Sequence, residues 1–185
     1  MPILNMIYGS GWGGGWLPPT FQQVEYIQTT GSQYIKSWYI PQSWDTAEIS
    51  FNMLTFTWDE QWILAVWSSP NGYRAWIDHW NWKTDNWFTY DTTWLNTDII
   101  ATWNCTHTFS REVFLFAQNE NGTVYHLNKG TQRLYSCKIY RGWNLIRDYV
   151  PCYRKSDNEI WLFDIVNYTF FINSWTWTFI KWNDV

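Results

Sequence analysis

The sequence predicts an all-β protein, an antiparallel β-sandwich with a short N-terminal arm. Two observations carry that expectation. Short runs rich in β-branched and aromatic residues recur along the chain, each bounded by turn residues. No segment sustains an apolar period of 3.6 residues, so any helix is expected to be a single turn.

Taken in order, residues 9–19, "GSGWGGGWLPP", combine flexible glycines with two stiffening prolines. They read as a linker, giving an arm and linker over 1–19 and a sandwich domain over 20–185. The apolar "MPILNMIY" ahead of the linker is too short to fold alone. It either adds a strand to a partner or has no fixed structure, and both readings stay open. The β-type runs then follow: "VEYIQT", "SQYIKS", "TAEISFNMLTF", "QWILAVW", "YRAWID", "WFTYD", "REVFLFAQ", "GTVYHL", "RLYSCKIY", "LIRDYVPCYRK", "EIWLFDIV" and "YTFFIN". Within "TAEISFNM" the alternation sets Ala47, Ile49 and Phe51 against Glu48, Ser50 and Asn52. Within "YSCKIY" it sets Tyr135, Cys137 and Ile139 against Ser136, Lys138 and Tyr140.

Composition narrows the function classes. Charged residues make up 15% of the chain, against about 25% in an average domain, and the net charge is −4 with no cluster of Lys or Arg. A duplex-binding face needs clustered cations to displace phosphate counterions, so no nucleic-acid partner is expected. The longest apolar runs fall short of a bilayer span, and the N-terminal residues lack a basic, then apolar, leader pattern. Neither membrane insertion nor export by the standard route is expected. Cys105, Cys137 and Cys152 are odd in number and have no metal spacing, so they read as buried thiols.

"VEYIQTTGSQYI" (24–35) resembles the opening strand pair of concanavalin A-like, laminin-G-like jelly-roll domains of phage structural proteins and gut-bacterial surface proteins. The closing half, "VFLFAQNENGTVYHL" and then "RLYSCKIYRGWNLIRDYVPCYRKSDNEIWLFDIVNYTFFINS", is similar to them in the order of its motifs. The resemblance covers roughly 16–185. It implies a jelly roll on a phage tail, fibre or capsid, or on a bacterial surface, serving as a glycan binder or spacer. A fold shared by lectins, glucanases and spacers does not itself decide among them.

Against that pattern the 18 tryptophans are anomalous. "NSWTWTFIKW" resembles a tail with glycine at Trp175, Trp177 and near Trp182, "EIWLFD" has Trp161 where relatives carry glycine, and "YIKSWYIP" resembles a Thr-Gly-Tyr corner at Trp38. Trp12, Trp16, Trp80, Trp82 and Trp143 stand in polar or glycine-rich contexts. One reading is a large aromatic core with exposed rings as stacking platforms. The other is glycine: one base separates the two codon sets, and one stop codon is read as glycine in some genetic codes and as tryptophan in others.

Candidate chemistry is sparse. Glycosidases of the resembled fold place closely spaced carboxylates on one strand, and that run is absent. Glu48 stands alone, Asp59 and Glu60 face opposite sides of any strand, and Asp78-His79 reads first as a polar loop. "TWNCTHTF" would put Cys105 and His107 on one face of a strand, read first as structural. Calcium is considered because loop Asp and Asn oxygens hold it in many sandwiches. The runs "IDHWNWKTDN" and "NENGT", the latter with Glu120, match no defined calcium loop, so no cofactor is expected and a metal site stays unknown.

The expectation is therefore a non-enzymatic, virion-associated protein, a capsid decoration or a tail or fibre component, that contacts host-surface carbohydrate. Its arm would bind other virion proteins, and the resemblance implies a homo-oligomer, a trimer in such settings. The alternatives are a carbohydrate-binding module of a bacterial surface protein and, last, a glycoside hydrolase. The expected ligand-binding residues lie in loops around 76–94 and 118–123: Trp76, Asp78, His79, Trp80, Asn81, Trp82, Asp85, Asn86, Trp87, Asn119 and Asn121.

Overall fold

The computed structural model describes residues 17–55, 61–68, 71–78, 81–84, 95–127, 130–176 and 178–185. The protein is all-β, with two sheets. The strands are β1 (Phe21–Gln23), β2 (Ile27–Gln28), β3 (Ile35–Lys36), β4 (Asp45–Met53), β5 (Gln61–Ser68), β6 (Asn71–Asp78), β7 (Asn81–Thr84) and β8 (Asp98–Asn104). They continue as β9 (Phe114–Leu115), β10 (Ala117–Glu120), β11 (Thr123–Leu127), β12 (Gln132–Arg141), β13 (Asn144–Arg154), β14 (Ile160–Asp164), β15 (Thr169–Ile172) and β16 (Ile180–Lys181). Among the described residues no helix is long and apolar enough to cross a membrane.

The larger sheet is built on the pairings β8-β4-β12-β13-β14-β15, all antiparallel. The β12–β13 pairing ends at Cys137↔Tyr149, and the chain ends fill the space beyond it. There β1 pairs with β13, β2 with β12 and β16 with β2. Pro151, which has no N–H to donate, lies in the stretch of β13 between the partner strands β12 and β1. The smaller sheet runs β11-β10-β5-β6-β7, with β9 joining β5 to β3.

The expectation of a purely antiparallel sandwich is corrected in the smaller sheet, where β10 runs parallel to β5 (Gln118↔Ala65 to Glu120↔Trp67). "REVFLFAQ" is not one strand. It breaks at Phe116, whose φ of 65° turns the chain between β9 and β10.

One continuous core unites the two sheets. Ala47, Ile49, Phe51, Leu134, Cys137 and Ile139 from the larger sheet meet Ile63, Leu64, Val66, Tyr73 and Leu115 from the smaller. This makes the molecule a sandwich. The alternation in β4 is as expected, with Ala47, Ile49 and Phe51 buried and Glu48 and Ser50 turned away. Asn52 lies on the outer side but is buried, its Nδ2 donating to Asp98 Oδ1 at 2.8 Å.

The alternation expected within "YSCKIY" is corrected at one residue. A register shift between Leu134 and Ser136 puts Tyr135 opposite no β4 residue and makes Leu134 the inward partner of Cys137 and Ile139. Tyr135 instead stands edge-on to Tyr26, and its hydroxyl donates to Asp98 Oδ1 at 2.7 Å. Strand β8 alternates exposed and buried residues over its whole length; the sequence reading had placed a strand at 102–109 but not at 98–101.

All three cysteines are buried thiols. Burial pushes the Cys152 thiol up to about 12 and drives Cys137 higher still, which keeps both protonated and unreactive. The expected arm and linker lie outside the described residues up to position 16. Leu17 packs with Phe21 against the satellite cluster of Val150, Cys152 and Phe163.

Candidate functional site

The expected ligand-binding residues divide sharply. His79, Trp80, Asp85, Asn86 and Trp87 lie outside the described residues, as do Asp59 and Glu60. Trp76, Asp78, Asn81 and Trp82 are not loop residues. They sit in the β6–β7 hairpin, in the register Trp76↔Lys83, Ile77↔Trp82 and Asp78↔Asn81. "YRAWID", with Trp76 and Asp78, had been expected as a β run; its partner β7 was missed because "NWKT" gives no apolar alternation.

Asn119 and Asn121 belong to the β10–β11 hairpin, where Glu120 pairs with Thr123. Asn121 and Gly122, at φ 53° and 92°, form a two-residue turn with both residues left-handed, as an Asn-Gly hairpin requires. Asn119 is only 1% exposed. Its Nδ2 donates to the Glu112 carbonyl at 2.7 Å and its Oδ1 accepts from the Gly122 N–H at 2.9 Å. Asn119→Ala is expected to lower stability by about 1–2 kcal/mol, because the Glu112 carbonyl and Gly122 amide each lose a partner. Urea denaturation checks this, and an unchanged midpoint would remove Asn119 from the structural frame.

That hairpin borders a groove of about 380 Å³ whose lining includes Lys36, Trp38, Ile40, Arg111, Glu112, Asn119 and Gly122. A second groove of about 410 Å³ is lined by Trp38, Ile40, Gln42, Arg141, Leu145, Arg147, Val166 and Asn167, among others. Trp38 and Ile40 line both, so they form the ridge between them. Both grooves are open, and both mix cations, amides and apolar side chains.

The segment carrying the ridge is firmly held. The Ser37 and Val113 N–H groups donate to the Val113 and Tyr39 carbonyls, and the Tyr149 hydroxyl donates to the Ser37 carbonyl at 2.9 Å. The Trp38 N–H donates to Glu112 Oε2 at 2.7 Å. Among the described residues Arg111 makes no ion pair or hydrogen bond, and its guanidinium lies beside Gly122.

Two fully buried carboxylates hold residues that line the second groove. Asp45 accepts from Arg141 Nε (2.8 Å) and Nη2 (2.9 Å), from the Tyr39 hydroxyl (2.8 Å) and from the Gln42 N–H (2.8 Å). Burial pulls its pKa upward. Arg141, the Gln42 amide and the Tyr39 hydroxyl together outweigh that and hold it below the ordinary carboxylate value. Asp164 accepts from the Asp148 and Val166 N–H groups (3.0 and 3.1 Å) and from Asn167 Nδ2 (2.7 Å), with Arg147 Nε 3.4 Å away as an ion pair. The sequence reading had singled out neither aspartate, because their partners come from other strands and turns.

Other expected chemistry is placed differently. Cys105 and His107 do not share a strand face: β8 ends at Asn104, Cys105 is buried and His107 is exposed. Among the described residues no group of three or more His, Cys, Asp or Glu is placed to hold a metal ion. Glu48 lies in register with Thr102 on one side and Lys138 on the other, and Lys138 with Asp148. Burial raises the Asp148 carboxyl, Lys138 lowers it, and Asp164 and Glu48 raise it further, leaving it above its ordinary value.

Compared with family models, curated proteins and solved structures, the chain matches none.

Proposed function

We propose that the protein is a non-enzymatic, virion-associated display domain of jelly-roll type, whose paired grooves contact carbohydrate on the host surface. The observation that carries this reading is the site on both sides of residues 38–40. Open grooves lined by amide and guanidinium groups, braced in the second groove by buried carboxylates, suit the hydroxyl-rich and shallow shape of a sugar chain. The meeting of the two chain ends in one sheet, with Val24 bridged to Asp184, supports the jelly-roll topology. Attachment to other virion proteins falls to the arm, and a trimeric arrangement multiplies weak contacts into avidity.

Two measurements test the reading. Protein analysis of purified particles should find the chain as a stoichiometric component, and its absence sinks the virion assignment. A glycan array should return ligands, and Arg111→Ala should weaken binding by about tenfold, the worth of a charge-assisted hydrogen bond, with the melting temperature unchanged. No binding better than millimolar on a broad array counts against the carbohydrate assignment. Binding by a protein absent from particles points instead to a carbohydrate-binding module of a bacterial surface protein.

A further inference from the structure

We infer that residues 38, 44 and 143 are glycine positions: where this protein is naturally made, the codon behind them is decoded as glycine. The inference does not rest on the proposed function. Trp38 and Trp44 have φ values of 53° and 72°, in the left-handed region that a bulky L-residue avoids and glycine enters freely. Both are also well exposed, Trp38 at 63% and Trp44 at 76%. Phe116 and Tyr168 are left-handed too, at φ 65° and 52°. The Phe116 ring is wholly buried, but Tyr168 is 58% exposed and edge-on to Phe163 at 6.3 Å, so an exposed left-handed aromatic is not by itself a glycine position and the codon decides. Trp44 has no described ring contact, and Trp38 touches Phe171 only edge-on, at 5.2 Å between centroids.

Trp143 adds the third position. It follows Gly142 (φ 59°) in the two-residue turn between Arg141 and Asn144, and its side chain is 101% exposed. The turn's left-handed position is already filled by Gly142, so at 143 the argument is exposure alone: the turn has nothing against which to pack an indole. Trp62 and Trp103 behave oppositely. Both lie in strands with their side chains buried, as true tryptophans do. The split between exposed tryptophans, two of them left-handed, and buried ones in strands is what two different codons would produce.

The consequence reaches the grooves. With glycine at 38 the indole ridge is gone, and the two grooves join above Ile40 into one longer channel. Sugar stacking on Trp38 then plays no part in the natural protein.

The test has two arms. The coding DNA is read and peptides of the naturally produced protein are mass-mapped across 36–47 and 141–147. Glycine in those peptides, with TGA codons at 38, 44 and 143 and TGG at 62 and 103, is the expected result. TGG codons at 38 and 44, or tryptophan in the natural peptides, overturns the inference. In the second arm Trp38→Gly and Trp44→Gly are made in the tryptophan form. Relief of the left-handed strain, less the entropy of glycine, should raise the folding equilibrium constant roughly two- to five-fold per site. A fall at both sites removes the structural ground.

Discussion

Trp103→Gly is expected to cost roughly 4–6 kcal/mol of stability, enough to leave the domain marginal or unfolded. Trp103 is 2% exposed at the inner face of β8, with its ring centroid 5.6 Å from that of Tyr73. Removing the indole opens a cavity between the two sheets, where Ala101, Ile99 and Phe51 are already close-packed and cannot collapse into it without backbone movement. Glycine also loosens an extended segment that, among the described residues, pairs with β4 alone. Trp143→Gly, the same change at a fully exposed turn, should stay within about 0.5 kcal/mol. Chemical denaturation of the two variants side by side is the measurement. A loss below about 1 kcal/mol for Trp103→Gly would mean that the indole does not fill the core as described.

Asp45→Ala is the second large effect, at about 3 kcal/mol. The variant leaves the buried Tyr39 hydroxyl without its acceptor and removes the partner of the part-buried Gln42 N–H, while Arg141, itself partly exposed, returns to water. The same aspartate makes stability depend on pH. Its folded-state pKa lies below the unfolded value. Its contribution is therefore complete above about pH 4, the unfolded carboxylate value, and is lost as pH falls through the folded one. Asp98 is held low by Asn52 and Tyr135 and acts in the same direction, so some acid sensitivity remains in any Asp45 variant. Asp148, raised by burial, acts oppositely and gains on protonation. Urea midpoints from pH 7 to pH 3 should fall for the wild type and fall less steeply for Asp45→Asn. Identical slopes would show that the carboxylate is not the titrating group.

The legible part of the fold was the part encoded by near neighbours. Period-two alternation in "TAEISFNM" places Ala47, Ile49 and Phe51 inward because successive side chains on any strand point to opposite faces. The Asn-Gly pair at 121–122 marks a hairpin because few other residues tolerate two left-handed conformations in succession. Where a residue's place depends on a partner strand, the sequence was silent or misleading. Tyr135 alternates correctly by sequence but is displaced by a register shift that only the pairing with β4 reveals. "YRAWID" read as a strand, but its partner β7, "NWKT", lacks apolar alternation and read as a loop.

The site follows the same division. Composition pointed to the neighbourhood of Asn119, but not to Asn119 as a buried brace, nor to Arg111 and Glu112 beside it. Asp45 and Asp164 look like ordinary surface aspartates in sequence, and each becomes a buried anchor when an arginine from another strand, Arg141 or Arg147, joins a near neighbour, Tyr39 or Asn167. By itself the sequence determined that this chain forms strands and which residues of β4 turn inward. The tertiary structure alone decided the pairing of the chain ends, the parallel approach of β10 to β5, the two grooves and the strained backbone beneath Trp38 and Trp44. The physical reason is range: alternation and turn conformation are properties of adjacent residues, whereas register, burial of charge and a left-handed φ depend on where distant segments hold the backbone.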